Sequence, residues 1–374
     1  MRGMLGGQAS GYLVAVLWLQ GVVFAQATGR ELDNGGKIFR AACAACHGAD
    51  GRGAPQTMRG FEPPPTFPDF TDCKATAREP NRDWSAIIHN GGPARGFSQI
   101  MPSFREALTA DQIGKVMQHL RGFCRQSVWP RGELNLPRAL VTEKAFPEDE
   151  AVITTSIDAQ GAPAVSQRIV YERRFGARNQ VEVAAPFSFR DKDSGGWAGG
   201  VGDIALGYKR ALFHSLRSGS IVSVTGECAL PTGDLARGFG KGVTVFEFFA
   251  SYGQLLPKNS FFQFQGGVES PTRSDAAKAV FWRTVMGKSF TGSQGLGRLW
   301  SPMVELLADR ELVKGEATNW DVVPQIQVTL NRRQHIRANV GVRIPVNNTA
   351  SRSTQVMFYL LWDWFDGGLR DGWK

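Results

Sequence analysis

From about residue 139 onward the chain repeats one pattern, stretches of nine or more residues in which apolar and polar side chains alternate. Ile336, Ala338, Val340, Val342 and Ile344 fall on one face, and Arg337, Asn339, Gly341 and Arg343 fall on the other. Ile326, Val328 and Leu330 oppose Gln325, Gln327, Thr329 and Asn331 in the same way. So do Val181, Val183, Phe187 and Phe189 against Glu182, Ser188 and Arg190. Phe262, Phe264 and Val268 oppose Gln263, Gln265 and Glu269, and Val356, Phe358, Leu360, Trp362 and Trp364 oppose Tyr359 and Asp363. A period of two marks a strand with unlike faces. About twelve such segments centre near Ile153, Ile169, Val183, Leu206, Val224, Phe248, Phe264, Trp282, Val304, Ile326, Val340 and Leu360. Strands in soluble sheets run roughly 5–6 residues, whereas a tilted strand needs about 9–11 to cross a bilayer. The expected fold over residues 149–374 is therefore an antiparallel transmembrane β-barrel of about twelve strands. The alternative is a soluble β-sandwich, which would need a second layer over every apolar face.

The links between segments alternate in length. Tight ones fall at 176–179, 216–219, 257–259 and 332–334, and longer polar ones at 191–200, 232–242, 270–275, 314–319 and 347–354. Short periplasmic turns and long external loops are the rule for outer-membrane barrels. The link at 291–297 breaks the alternation, being longer than its tight neighbours.

The N-terminal part has another character. Arg2 precedes an apolar run over 11–25 that ends on small residues at Ala25 and Ala27. This reads as a secretory signal over residues 1–27, with an uncleaved anchor as the alternative. Export would place the cysteines where disulfides persist. A helical segment over about 34–45, with Ile38 and Phe39 on its apolar face, leads into Cys43-Ala-Ala-Cys46-His47. That motif is the covalent attachment sequence of a c-type haem. Two thiols one helical turn apart meet the two vinyl groups, and the next residue turns its imidazole to the iron. A redox-active cysteine pair of the thioredoxin kind is the alternative, but such pairs follow a strand. The expected cofactor is one covalent haem c held by Cys43, Cys46 and His47.

Composition adjusts this picture little. The net charge of +9 comes with no basic run, which argues against nucleic acid as a partner. Of the five cysteines, two belong to the haem motif. Cys73 and Cys124 are placed to form a disulfide or remain as two buried thiols, and Cys228 is left over on the apolar face of a strand. A Pro-bearing linker over 129–148 separates a haem domain at 28–128 from the barrel.

Gly36-Lys-Ile-Phe39 before the motif and Gly48-Ala-Asp-Gly51-Arg-Gly53 after it make residues 30–128 resemble the small monohaem cytochromes c. The resemblance implies an all-α domain whose second iron ligand is a Met from a Gly- and Pro-rich loop. Met101, in Gln99-Ile-Met101-Pro102-Ser-Phe104, matches that element. Met117 recurs with Ile113, Val116 and Leu120 at helical spacing and reads as core, and Met58 is a weaker rival. His89 and His119 read as ordinary satisfied or exposed histidines. Pro63-Pro-Pro65 and Pro68 read as extended chain over the haem edge.

Gly200-Val-Gly202-Asp203 with Ala229-Leu-Pro-Thr-Gly233 resembles motifs of outer-membrane barrels associated with aromatic-compound degradation. A cytochrome c ahead of such a barrel resembles the cytochrome–porin fusions of iron-oxidising bacteria. This implies an outer-membrane protein with its haem on the periplasmic side. It would move electrons between periplasmic carriers and an external or pore-diffusing reductant such as Fe(II), with Fe(II) oxidation as the candidate activity. The other readings are a transport barrel carrying a separate redox module, and a soluble periplasmic cytochrome with a sandwich domain. The polar faces, with Glu182, Asp203, Glu227, Glu247, Glu269, Glu305 and Asp363 among Arg190, Lys209, Arg337 and Arg343, would line a lumen of mixed charge.

Overall fold

A computed structural model of the chain describes residues 34–363, apart from 56, 58, 59, 65, 66, 161, 162, 192–195, 293 and 294. The signal reading over 1–27, Met58 and Trp364 lie outside the described residues.

The N-terminal unit is built on α1 (Gly35–Ala42), α2 (Ala44–His47), α3 (Cys73–Thr76), α4 (Asn81–Asn90) and α5 (Ala110–Arg121). Asn34 caps α1 by accepting from the Gly36 amide at 2.8 Å. Thr109 and Gln112 form a reciprocal capping box on α5. Ile38 and Phe39 of α1 bury against Ile113, Val116, Met117 and Leu120 of α5. Gly35 permits that crossing, because a Cβ there would lie 2.0 Å from the Lys115 carbonyl oxygen. Met117 is thus core, as its spacing indicates. Cys73 and Cys124 are joined by a disulfide, with Cα atoms 5.1 Å apart.

The C-terminal unit is one closed antiparallel sheet. Its strands are β1 (Glu150–Asp158), β2 (Ala164–Phe175), β3 (Asn179–Asp191), β4 (Trp197–Val201), β5 (Ala205–Ser215), β6 (Ser220–Ala229), β7 (Val245–Leu256), β8 (Ser260–Pro271), β9 (Ala279–Lys288), β10 (Trp300–Glu311), β11 (Asn319–Thr329), β12 (Ile336–Pro345) and β13 (Gln355–Asp363). Each pairs with its sequence neighbour, and β1 pairs with β13 to close the ring. Short β4 and β5 are one stave with a break, since both pair with β3, the first through Phe187–Val201 and the second through Ala184–Ala205. The barrel therefore has twelve staves, and each predicted centre falls within one.

The break is where Gly200-Val-Gly202-Asp203 sits. Asp203 accepts from the amides of Gly233 at 2.9 Å and Lys241 at 2.6 Å, so it pins the long loop after β6. A Cβ on Gly200 would lie 2.2 Å from the Phe239 ring of that loop. Asp203 thus serves the loop, where the alternation placed it on the lumen wall.

The apolar faces point outward. Ile169, Val183, Leu206, Phe248, Val304, Val340 and Phe358 are all exposed on the barrel exterior, while Gln180, Glu182, Gln265, Glu305, Gln327 and Asn339 are buried inside. No layer covers the exterior among the described residues, so the sandwich alternative is not what forms. Among those residues no helix is long and apolar enough to cross a membrane.

Candidate haem site and the filled lumen

Cys43, Cys46, His47 and Met101 line one cavity of about 540 Å³, within the range of cofactor sites. Local sequence dictates the first three, because α2 is a single turn that sets the two thiols and the imidazole on adjoining positions. The loop after α4 delivers Met101. The amide of Gly92 donates to the Met101 carbonyl at 3.0 Å, and the Ser98 backbone packs so close that a Cβ on Gly92 would lie 2.2 Å from its oxygen. Pro64, Phe67 and Pro68 also line the cavity. Phe67 stacks on the His47 ring with centroids 5.0 Å apart and planes within 7°. His89 and His119 stay off this cavity: His89 pairs its Nδ1 with Asn90 at 2.9 Å, and His119 packs on Phe39 and Phe123.

The donor set fits a haem. Burial lowers the His47 pKa to about 4, so the imidazole is neutral and keeps a lone pair for a metal. Its Nδ1 is buried without a hydrogen-bond partner. Burial, with neighbouring Cys46 adding to it, raises the Cys43 pKa to about 11. Neither Cys43 nor Cys46 is in a disulfide, in contrast to Cys73 and Cys124. Cys43 and Cys46 would hold the macrocycle by thioethers, and His47 and Met101 would supply donors to its iron. When bound, the group supplies reversible one-electron chemistry at iron. The protein's part is to fix the ligands and to surround them with Phe39, Phe70, Trp84 and Ile88, which keep water away.

The cavity opens toward the barrel mouth that carries the short turns. Arg95 donates to Asp83 at 2.6 Å within the cytochrome, and across to the carbonyls of Gly295 at 2.7 Å and Arg332 at 3.2 Å. His335 pairs with Glu79 at 3.1 Å, and Arg78 pairs with Asp149. Both Arg178 and His214 contact the Val128 carbonyl at 3.2 Å. The over-long link at 291–297 now has a reason, because its Gly295 carbonyl is one of the points that hold the haem domain.

The segment between the two units is not an external tether. Residues 132–149 enter the barrel from that mouth, turn near Thr142 and return to β1. Arg138 donates to Glu150 at 2.7 Å and Glu172 at 3.0 Å, and its carbonyl accepts from Tyr359 at 2.7 Å. The amides of Leu140, Glu143 and Glu148 donate to Gln325, Gln265 and Gln180. Glu305 takes the amides of Val141 and Thr142, and Arg283 reaches the Val141 carbonyl at 3.4 Å. Lys144 is buried between Glu148 and Glu150, and Glu143 faces Lys209 at 3.5 Å. Leu134 and Phe146 pack on Ile221, Leu136 on Phe261 and Met303, and Leu140 on Val152 and Leu361. With Leu136 against Gly253 and Leu140 against Gly341, every stave of the ring touches the segment. Buried charges are tolerated here because each has an opposite partner, on the wall for Arg138, Glu143 and Lys144 and within the segment for Glu148.

The fold and site define a cytochrome c domain, a class that binds haem covalently, followed by a closed antiparallel barrel of twelve staves. Residues 30–120 match the family model described as cytochrome c oxidase, cbb3-type, subunit III. The barrel is similar in fold to an outer membrane channel from Pseudomonas putida F1, with 12% identity and a TM-score of 0.41 over 61% of this chain and 98% of that one. It is also similar to the NanC porin, at 8% identity and TM-score 0.40 over 57% of this chain and 98% of that one. The KdgM porin gives 6% and 0.38 over 57% and 99%. No curated protein sequence matches the chain.

Proposed function

We propose that the protein is an outer-membrane electron carrier in which the barrel anchors one haem c, held by Cys43, Cys46, His47 and Met101, at the periplasmic mouth. The observation that carries this reading is the filled lumen. Its exterior supports a bilayer setting, since strands of nine to thirteen residues, short β4 apart, match the length of tilted spanning strands. Short turns on the haem side and long loops on the other favour a periplasmic haem. A reductant diffusing through the pore would have to displace residues 132–149, and a direct jump from the mouth would cross a hydrocarbon layer of about 30 Å. The haem therefore exchanges electrons with carriers that reach it from the periplasm.

Full-length, haem-loaded protein in sealed lipid vesicles tests this. With the haem domain facing outward, a soluble c-type cytochrome added outside should exchange electrons with it rapidly. Fe(II) trapped inside, on the side of the long loops, should leave the haem oxidised. Reduction by the trapped Fe(II) would favour the pore-diffusing reductant instead.

A further inference from the structure

The haem cavity is not lined by the cytochrome alone. Two residues of the turn between β11 and β12, Arg333 and His335, stand on its wall. Arg333 is only 8% exposed. One nitrogen, Nη2, donates to the Gly96 carbonyl at 3.3 Å, and the guanidinium lies 4.5 Å from the centre of the Phe97 ring. Its Nε and Nη1 are buried with no hydrogen-bond partner.

No carboxylate of the described chain pairs with Arg333. The acids around the cavity spend themselves elsewhere: Asp83 on Arg95, Glu79 on His335, Asp72 on the Lys74 amide and Asp69 on Thr71. A buried guanidinium with two idle donors is costly, because it has left water without gaining an anion. Both idle nitrogens can give a charge-assisted hydrogen bond to a carboxylate. A haem brings two carboxylates on its propionate arms.

We propose that Arg333, carried by the barrel, donates to a propionate carboxylate of the haem from one of its two unpartnered nitrogens, so that the haem site is completed only when the barrel turn docks on the cytochrome. Arg333 is then a positioning and charge-setting residue, and the turn is part of the cofactor site. A fixed positive charge beside the haem favours the reduced state, which carries one positive charge fewer. The barrel thereby holds the potential of the haem above the value the cytochrome would set alone.

The inference rests on the haem assignment made above, and the two fail differently. A wrong assignment yields full-length protein with no covalent haem in a pyridine haemochrome assay. A wrong inference yields a loaded haem indifferent to Arg333. The test is the full-length, haem-loaded protein in detergent, with Arg333→Gln, Arg333→Lys and a neighbouring control, Arg332→Gln, whose side chain is exposed. Midpoint potential is read by spectroelectrochemistry and the propionate bending mode by resonance Raman. Arg333→Gln should lower the potential and shift the bending mode, while Arg332→Gln moves neither. If Arg333→Gln accumulates without haem, Arg333→Lys carries the test. It keeps the charge but replaces the guanidinium donors by a shorter-reaching ammonium, so its bending mode should shift while the potential stays near that of the parent. A bending mode unchanged in every loaded Arg333 variant overturns the proposal.

Discussion

Glu305, midway along β10, holds Thr142 twice: its Oε2 accepts from the Thr142 amide at 2.8 Å and from the Thr142 hydroxyl at 2.6 Å. The same carboxylate takes the Val141 amide through Oε1 at 3.1 Å and the Gln325 side chain at 2.6 Å. The tip of the inserted segment is thus fastened to the wall by a group with both oxygens engaged. Charge-assisted bonds of this kind are about twice as strong as neutral ones.

Barrel conductance should follow from this grip. In planar bilayers the parent protein should show no steady current. Replacing residues 137–146 by Gly and Ser at equal length removes the packing of Leu140 and Phe146 and the Arg138 pairs, and should give a stable open channel. Thr142→Val removes one donor to Glu305, costing about 1–3 kcal/mol, and should give brief openings. A replaced segment that still passes no current would show that something other than this segment closes the barrel.

Strand number, closure and the outward-facing side were legible because period-two alternation is local and repeated. The haem motif was legible because three of its groups lie within five residues. The inserted segment was not, since residues 130–149 have no period and carry Pro130 and Pro137. Its trace lay in the partner faces: Ile221, Phe261, Met303 and Leu361 are apolar residues at lumen positions, where only a packed interior would put them. Arg333 was equally hidden. It comes to Gly96 across 237 residues, a distance that only closure of the barrel removes.

Replacement of Met101 by Ala should abolish the thioether–iron absorption band and lower the haem's potential, since His/Met ligation sits higher than the alternatives. Met117→Leu is the matching control. Met117 is buried between α1 and α5 away from the cavity lining, and a volume-conserving swap there should cost less than about 1.5 kcal/mol. A band that survives Met101→Ala would move the ligand elsewhere.

The disulfide ties the start of α3 to the chain just beyond α5, closing a loop of 51 residues. Chain-entropy reasoning assigns such a crosslink about 4 kcal/mol. Cys73→Ala with Cys124→Ala should lower the melting temperature of the haem domain, followed by loss of the haem's visible spectrum. The barrel makes none of its ring contacts through this bond. Its heat-modifiable gel mobility should therefore remain as in the parent, and a barrel that melts together with the haem domain would contradict the separation of the two cores.

Val340, near the middle of β12, projects outward with Ile326 and Phe358 beside it on the neighbouring strands, and all three are exposed. In water an exposed valine tolerates a charge, and the change would fall within about 0.5 kcal/mol. At the midplane of a bilayer an arginine facing lipid costs about 2–4 kcal/mol. Reversible folding of Val340→Arg into lipid vesicles, followed by tryptophan fluorescence in denaturant, measures which environment this face meets. A loss within the bilayer range, absent when the arginine is placed at Val346 beyond the end of β12, is the expected result. Equal stability of the parent and Val340→Arg would mean that this surface does not face hydrocarbon.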